Sequence, residues 1–345
     1  MYKFYGLFVF TLLFSACQSD NINPNAEVVY ARVETDPVSS EGDAADDPAI
    51  WVNTEQPNKS LILGTDKKLG LAVYNLSGEQ VQFLERGRLN NVDLRQGVKF
   101  SDGLSTIAVA TNRTNRALDI FSISSKGVVE HIYEQRLDLE DPYGLCMFLD
   151  ADGQAHVFAN SKNGEYQQWL LNPNGELFPT LLATFALSSQ PEGCSVDDET
   201  SKLYVGEEEV GIWMLPADLK KASQAVLIDQ VGLGNLTADV EGMEVYRDNQ
   251  GRAYLIVSSQ GDNSYALYDL IHNNAYLGSI RIADGLDGKV DGTQETDGLS
   301  VTSIGLGENF SKGMLVVQDG YNSHPEATQN FKLIPWDRVE KSLGL

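Results

Sequence analysis

A chain of 345 residues with 42% hydrophobic content can bury a large core, and its formal charge of −24 argues against nucleic acid or an anionic membrane surface as a partner. Length alone would allow two domains, but folds built by radial repetition run this long as one.

The chain opens on a targeting segment. Lys3 supplies positive charge, Leu7 to Phe14 form an apolar run, and Phe14-Ser15-Ala16-Cys17 resembles a bacterial lipobox, whose Cys is lipidated. Residues 1–16 are therefore read as a lipoprotein-type signal peptide and 17–26 as a polar tether, with an ordinary cleaved signal as the alternative. No run of eighteen apolar residues follows, so contact with a membrane is expected only through a lipid on Cys17. The expected location is the outer membrane, on its periplasmic or outer surface.

Six copies of one short pattern organise the remaining residues, 27–345. Each places an acidic or polar residue, usually beside Gly, at the start of an apolar strand. Aligning Asp47, Asp93, Tyr143, Glu192, Glu241 and Asp297 gives steps of 46, 50, 49, 49 and 56 residues. A period near fifty filled with short strands predicts an all-β, six-bladed β-propeller. In the first repeat the strands are Pro48–Asn53, Leu61–Asp66, Leu71–Leu76 and Val81–Arg86, and the next four repeats each supply four more. The sixth supplies three, Leu299–Ile304, Met314–Gln318 and Phe331–Trp336. Its missing strand is assigned to Val28–Thr35, so an N-terminal strand closes the last blade and removes an open edge. Cys146 and Cys194 fall near equivalent positions on neighbouring blades, where a disulfide and two buried thiols are both open.

In such a blade the first strand starts, and the second returns, at one rim of the central channel. The starts are Asp46/Asp47, Asp93, Tyr143, Glu192, Asp239/Glu241 and Asp297; the returns carry Lys67-Lys68, Arg113, Lys162, Glu208, Gln260 and Asp319. The returns of blades one to three are thus basic, and those of blades four to six acidic or amide. Carboxylates so crowded repel and take up protons unless cations hold them. Oxygen ligands without Cys or His select Ca²⁺ or Mg²⁺, with irregular loops favouring Ca²⁺. Lys and Arg facing such a cluster suit a multiply charged oxyanion, phosphate above all. Salt bridges across a solvated rim are the plainer alternative.

As a set, Asp46-Asp47-Pro48-Ala49-Ile50-Trp51, Lys67-Lys68, Leu89-Asn90-Asn91-Val92-Asp93, Asn112-Arg113, Tyr143-Gly144, Lys162, Glu192-Gly193, Glu207-Glu208, Asp239-Val240-Glu241-Gly242, Ser258-Ser259-Gln260-Gly261, Thr296-Asp297-Gly298 and Gln329-Asn330-Phe331-Lys332 resemble the β-propeller (alkaline) phytases, in order over about residues 27–340. The resemblance implies a calcium-dependent 3-phytase-type hydrolase, acting as a monomer on phytate or its calcium salt. It implies metal ligands at Asp46, Asp47, Glu192, Glu208, Asp239, Glu241, Gln260, Asp291, Asp297 and Asp319, with Lys67, Lys68, Arg113, Tyr143 and Lys162 on phosphate. Lys67, Arg113, Tyr143, Lys162 and Glu208 would carry catalysis, with water made acidic by several calcium ions as nucleophile. Asp66, Asn163 and Ala238 depart from the Asn, Glu and Arg of the Bacillus members, which bears on affinity and positional preference more than on the reaction. The sequence has no Arg-His-Gly triplet and no Cys-x5-Arg loop for other phosphatase chemistries. A calcium propeller of the lactonase or esterase kind, and a non-enzymatic binding propeller, are the rival readings.

Overall fold

Alternation of apolar side chains along each strand decides the architecture. Leu61 and Leu63 face one neighbouring sheet while Ile62 faces the other, so both surfaces of the sheet are buried and each needs a partner. Six sheets meet that need by stacking around a ring. In the computed structural model, which describes residues 22–345, the sheets hold four strands each, except for one of five. The expected signal peptide and Cys17 lie outside the described residues. Asn23, in the expected tether, is bonded to blade five through Asp262 O and Ser264 Oγ.

The first strands of the blades are Ala45–Trp51, Leu89–Phe100, Pro142–Leu149, Pro191–Asp197, Val240–Arg247 and Leu299–Thr302. Each touches the next, and the sixth touches the first, which closes the ring. The apolar core is correspondingly divided into six clusters, each filling the seam between two adjacent blades. Across the seam of blades three and four the core contains a disulfide, Cys146–Cys194, with Cα atoms 5.5 Å apart.

Closure differs in one respect from the sequence expectation. The single strand expected at Val28–Thr35 is two. Val33–Glu34 pairs antiparallel with Asn330–Pro335 and completes blade six, whereas Glu27–Tyr30 runs parallel to Ala275–Ala283 as a fifth strand of blade five. The chain steps between blades at Ala31 and Arg32, and the carbonyls of Tyr30 and Ala31 accept hydrogen bonds from Arg338 Nη1 instead of a ladder partner. Arg338 lies on the one α-helix among the described residues, Trp336–Leu343. Trp336 anchors it, fully buried and stacked on Tyr246 with ring centroids 4.2 Å apart. Among the described residues no helix is long and apolar enough to cross a membrane.

Two expectations follow. Trp336→Ala should cost about 3–5 kcal/mol of unfolding free energy by denaturant titration, because it empties the joint between blades five and six. A thiol titration of denatured, unreduced protein made without Cys17 should read zero; a reading of two would contradict the bridge.

Candidate metal and anion site

The rim side chains owe their direction to a fault repeated in the ladders. In blade one Ala45 pairs with Asp66 and Pro48 with Gly64, so the first strand carries one more residue than its partner. The same extra residue recurs between Leu89 and Val92, Pro142 and Leu145, Pro191 and Cys194, and Val240 and Met243. A bulge of this kind re-aims the side chains it contains. Its contents are Asp46-Asp47, Asn90-Asn91, Tyr143-Gly144, Glu192-Gly193 and Glu241-Gly242. In blade six Asp297 precedes the strand, and its backbone N–H is held by Gln318 Oε1 at 3.0 Å. The neighbouring Gly298 is required for space: a Cβ there would lie 2.2 Å from Asp47 Oδ1.

Three carboxylates from blades four and five meet at the centre. Glu192, Glu208 and Glu241 are all buried and offer oxygens within 4.8 Å of one another. Asn90 Nδ2 donates to Glu192 Oε1 at 2.9 Å and Gln190 Nε2 to Glu208 Oε1 at 2.6 Å. Beside them Lys67 Nζ lies 3.0 Å from Asp297 Oδ2, 3.4 Å from Asp46 Oδ1 and 2.7 Å from Asp43 Oδ1. Gln260 Nε2 donates to Asp297 Oδ1 at 2.6 Å, and Asp47 Oδ2 accepts from Val92 N at 3.1 Å. Asp239 is half-buried beside this group, and all of these except Asp43, Asn90 and Gln190 come from the rim starts and returns.

The basic residues do not form one crescent. Lys67 stands among the carboxylates, and Lys68 is exposed, its Nζ donating to Glu41 O. Arg113 and Lys162 instead converge on Tyr143. Lys162 Nζ is 3.9 Å from the ring centroid and Arg113 Cζ 5.5 Å. Arg113 also reaches Asp141 at 3.3 Å and Asn90 Oδ1 at 3.3 Å. Asp93, aligned with the rim starts, sits lower in the channel. The first strand of blade two begins at Leu89, so Asn90 occupies the rim and Asp93 pairs with Arg95 at 2.9 Å. Asp291 and Asp319 form a separate group around Lys332, which is fully buried and also contacts Glu34 at 2.7 Å and Asp319 at 3.1 Å.

Burial and crowding hold Asp46, Asp47, Glu208, Glu241 and Asp297 above the usual carboxylate range. Desolvation, partly offset by Lys67, raises Asp46 to about 6; desolvation raises Glu208 to about 7 despite Gln190 and with help from Glu192 and Asp239. Desolvation likewise pushes Asp47, Glu241 and Asp297 well up, with Asp46 adding to Asp47, Glu192 to Glu241, and Lys67 opposing at Asp297. Asp239 is raised by burial and by Glu209. For Lys67, burial opposes the charge, but Asp46, Asp297 and Asp43 outweigh it and raise the ammonium. Tyr143 is raised by burial and by the charge of the nearby Glu192 carboxylate.

This donor set fits a hard divalent cation. It consists of oxygens, two of which, Asp46 Oδ2 and Glu241 Oε2, are buried without a hydrogen-bond partner among the described residues. The cleft above them, about 740 Å³, is bordered by Lys67, Tyr143, Glu208, Asp239, Glu241 and Asp297. Asn90, Gln190, Asp43 and Lys332 are site residues to which the sequence reading gave no role, although Asn90 and Lys332 stand in motifs it quoted. Asn90 was within reach, since Asn90-Asn91 fill the blade-two bulge that Asp46-Asp47 fill in blade one; Asp43 and Gln190 precede the repeated positions, and Lys332 lies on the third strand of blade six, away from the rim starts and returns.

A family model described as Phytase matches residues 8–345. The 3-phytase of Bacillus subtilis (strain 168) is 38% identical over 328 residues, covering 92% of this chain and 85% of that protein. A crystal structure of a functionally unknown protein from Desulfotomaculum acetoxidans DSM 771 aligns at 12% identity and a TM-score of 0.47, over 67% of this chain and 70% of that one.

The raised carboxyls fix the sign of a pH effect. The unfolded chain loses these protons near pH 4, whereas the cation-free fold keeps them to about 6 at Asp46 and about 7 at Glu208. Over that window the folded state binds more protons, so stability falls as pH rises. Acids lowered in the fold, such as Asp197 and Asp291, act below about pH 4 and leave the window unaffected. Chelated protein should therefore melt lower at pH 7.5 than at pH 5.5, and excess Ca²⁺ should remove or reverse the difference. Equal slopes with and without cation would contradict the site.

Proposed function

The chain belongs to the phytase family, and on that premise we propose that it hydrolyses phytate as a 3-phytase-type phosphoric monoester hydrolase with calcium held at the propeller rim. The observation that most supports this reading is the nearness of two groups at the rim: the oxygens of Glu192, Glu208 and Glu241, and Tyr143, which borders the same cleft as Glu208 and Glu241 and carries Arg113 and Lys162 against its ring. Asp46, Asp47, Asp239, Gln260 and Asp297 would add ligands around the same centre, and Asp291 and Asp319 would serve a further cation beside Lys332. Bound calcium supplies a Lewis acid that lowers the pKa of water and neutralises phosphate charge.

The chain's own residues do the rest. Lys162 and Arg113 would neutralise the equatorial oxygens of the scissile phosphate, Arg113 exchanging its long contacts to Asp141 for a charge-assisted fork. Tyr143, kept protonated by burial and by Glu192, would donate its hydroxyl to phosphate. Lys67 would balance Asp46 and Asp297 while reaching the substrate, and Lys68 would meet an outlying phosphate. Glu208 stands within the field of Lys162, which links the acidic and basic sides of the cleft. A neutral lactone or ester makes no use of these cations, which favours the phosphate reading. The enzyme is proposed to act as a monomer, exported and anchored at the outer membrane through Cys17.

Colorimetric phosphate release from phytate tests the central claim: activity should vanish in EDTA and return with Ca²⁺, and activity indifferent to EDTA would overturn the calcium mechanism. Arg113→Ala and Lys162→Ala should each lower kcat/KM by the equivalent of about 1.5–3 kcal/mol with little change in melting temperature. Lys67→Ala should lower both, because it leaves three carboxylates facing one another. For the anchor, Cys17→Ser should abolish incorporation of labelled palmitate in the producing bacterium; labelling that persists would exclude Cys17.

A further inference from the structure

The ring of first strands is held by contacts that differ from seam to seam. Backbone hydrogen bonds join blade five to six, Gly242 N to Asp297 O at 3.3 Å, and blade six to one, Gly298 N to Asp46 O at 3.2 Å. Among the described residues, the first strands of blades three and four share no backbone hydrogen bond. What joins them is Asn160, whose Nδ2 donates to Glu192 O at 2.9 Å, and the Cys146–Cys194 bridge. The strands run so close that a Cβ on Gly144 would lie 1.9 Å from Glu192 O.

This seam carries the junction between the acidic and basic halves of the cleft. Cys146 lies three residues beyond Tyr143, and Cys194 two beyond Glu192. Tyr143 stands beside Glu192, since the adjoining Gly144 abuts the Glu192 carbonyl; Lys162 sits on the Tyr143 ring, and Glu192 faces Glu208 and Glu241. The sulfurs themselves are buried in an apolar cluster with Phe148, Phe158 and Val196, so the bridge has no direct access to a ligand. Any sliding of one strand against the other would be felt first by the Tyr143–Glu192 pair.

We propose that the Cys146–Cys194 disulfide is a positioning tie: it holds Tyr143 against Glu192, so cation affinity at Glu192, Glu208 and Glu241 and turnover at the same cleft depend on the bridge. The turnover part rests on the phosphate-hydrolysing reading; the affinity part rests only on the carboxylates. A bridge that merely constrains the unfolded chain would raise the melting temperature and leave both quantities alone.

The test compares the full chain with Cys146→Ser/Cys194→Ser, and with wild type reduced by a phosphine, which converts the disulfide to two thiols as it takes up oxygen from water. Ca²⁺ binding is measured by calorimetry, and kcat and KM on phytate, at a temperature where circular dichroism shows each form folded. Both bridgeless forms should bind Ca²⁺ more weakly, on the order of tenfold, as when groups that orient metal ligands are removed. In both, kcat should fall more than KM rises, and reoxidation should restore only the wild type. Tyr143→Phe should cost less without the bridge than with it, since the pair is already released. Unchanged Ca²⁺ affinity with only a lower melting temperature overturns the proposal. So does loss of the folded signal in the bridgeless forms, which would make the bridge a requirement of the fold as a whole. A wild type that binds no Ca²⁺ overturns it together with the metal reading. Bridge-dependent Ca²⁺ binding without phosphate release would leave the tie standing and reject phytate hydrolysis alone.

Discussion

Everything at the rim follows from how closely six strands must converge on one axis. A sheet buried on both faces has to lie against its neighbours, and around a closed ring the first strands come into near backbone contact. Only small residues fit between them, and the side chains one position away are forced toward the same small volume. Acids placed at these positions meet acids from the next blade whether or not their charges agree. The geometry that closes the ring thus also concentrates negative charge where water is excluded.

The protein answers that charge only in part. Lys67 neutralises one flank, Lys332 another, and Asn90 and Gln190 each occupy one oxygen of a central glutamate. The remaining oxygens are left for ligands that are not side chains. A site assembled this way is strained by electrostatics instead of by backbone geometry, and the strain is released by what binds. Function and instability share the same atoms, as is common where catalytic groups are preorganised.

Much of this was legible from the chain because the fold repeats. The period near fifty, the apolar strands and the acid-Gly pairs all report the same seam geometry, and the sixfold ring follows from counting them. What escaped reading has physical causes. A bulge leaves no mark in an alternating pattern, so Asp93 was aligned with rim residues although the register places it deeper. Lys67 shares its repeat position with Arg113 and Lys162, yet its side chain turns toward the acids of blades one and six, a direction no spacing encodes. Asp291 and Asp319 looked like their fellow carboxylates until the fold buried Lys332 between them. The N-terminal strand read as continuous because both halves are apolar enough to pair, and only the change of partner at Ala31 divides it.

The pairing of Val33–Glu34 with Asn330–Pro335 bears on how the molecule is made. These segments come from nearly opposite ends of the chain, and the helix bearing Arg338 clamps the crossing between them only after both are present. As the chain folds, five blades can assemble from strands that are mostly local in sequence. The sixth cannot. Until its last strand docks, the folding protein is an open arc with an exposed sheet face at each end, and closure of the ring waits on the final few residues.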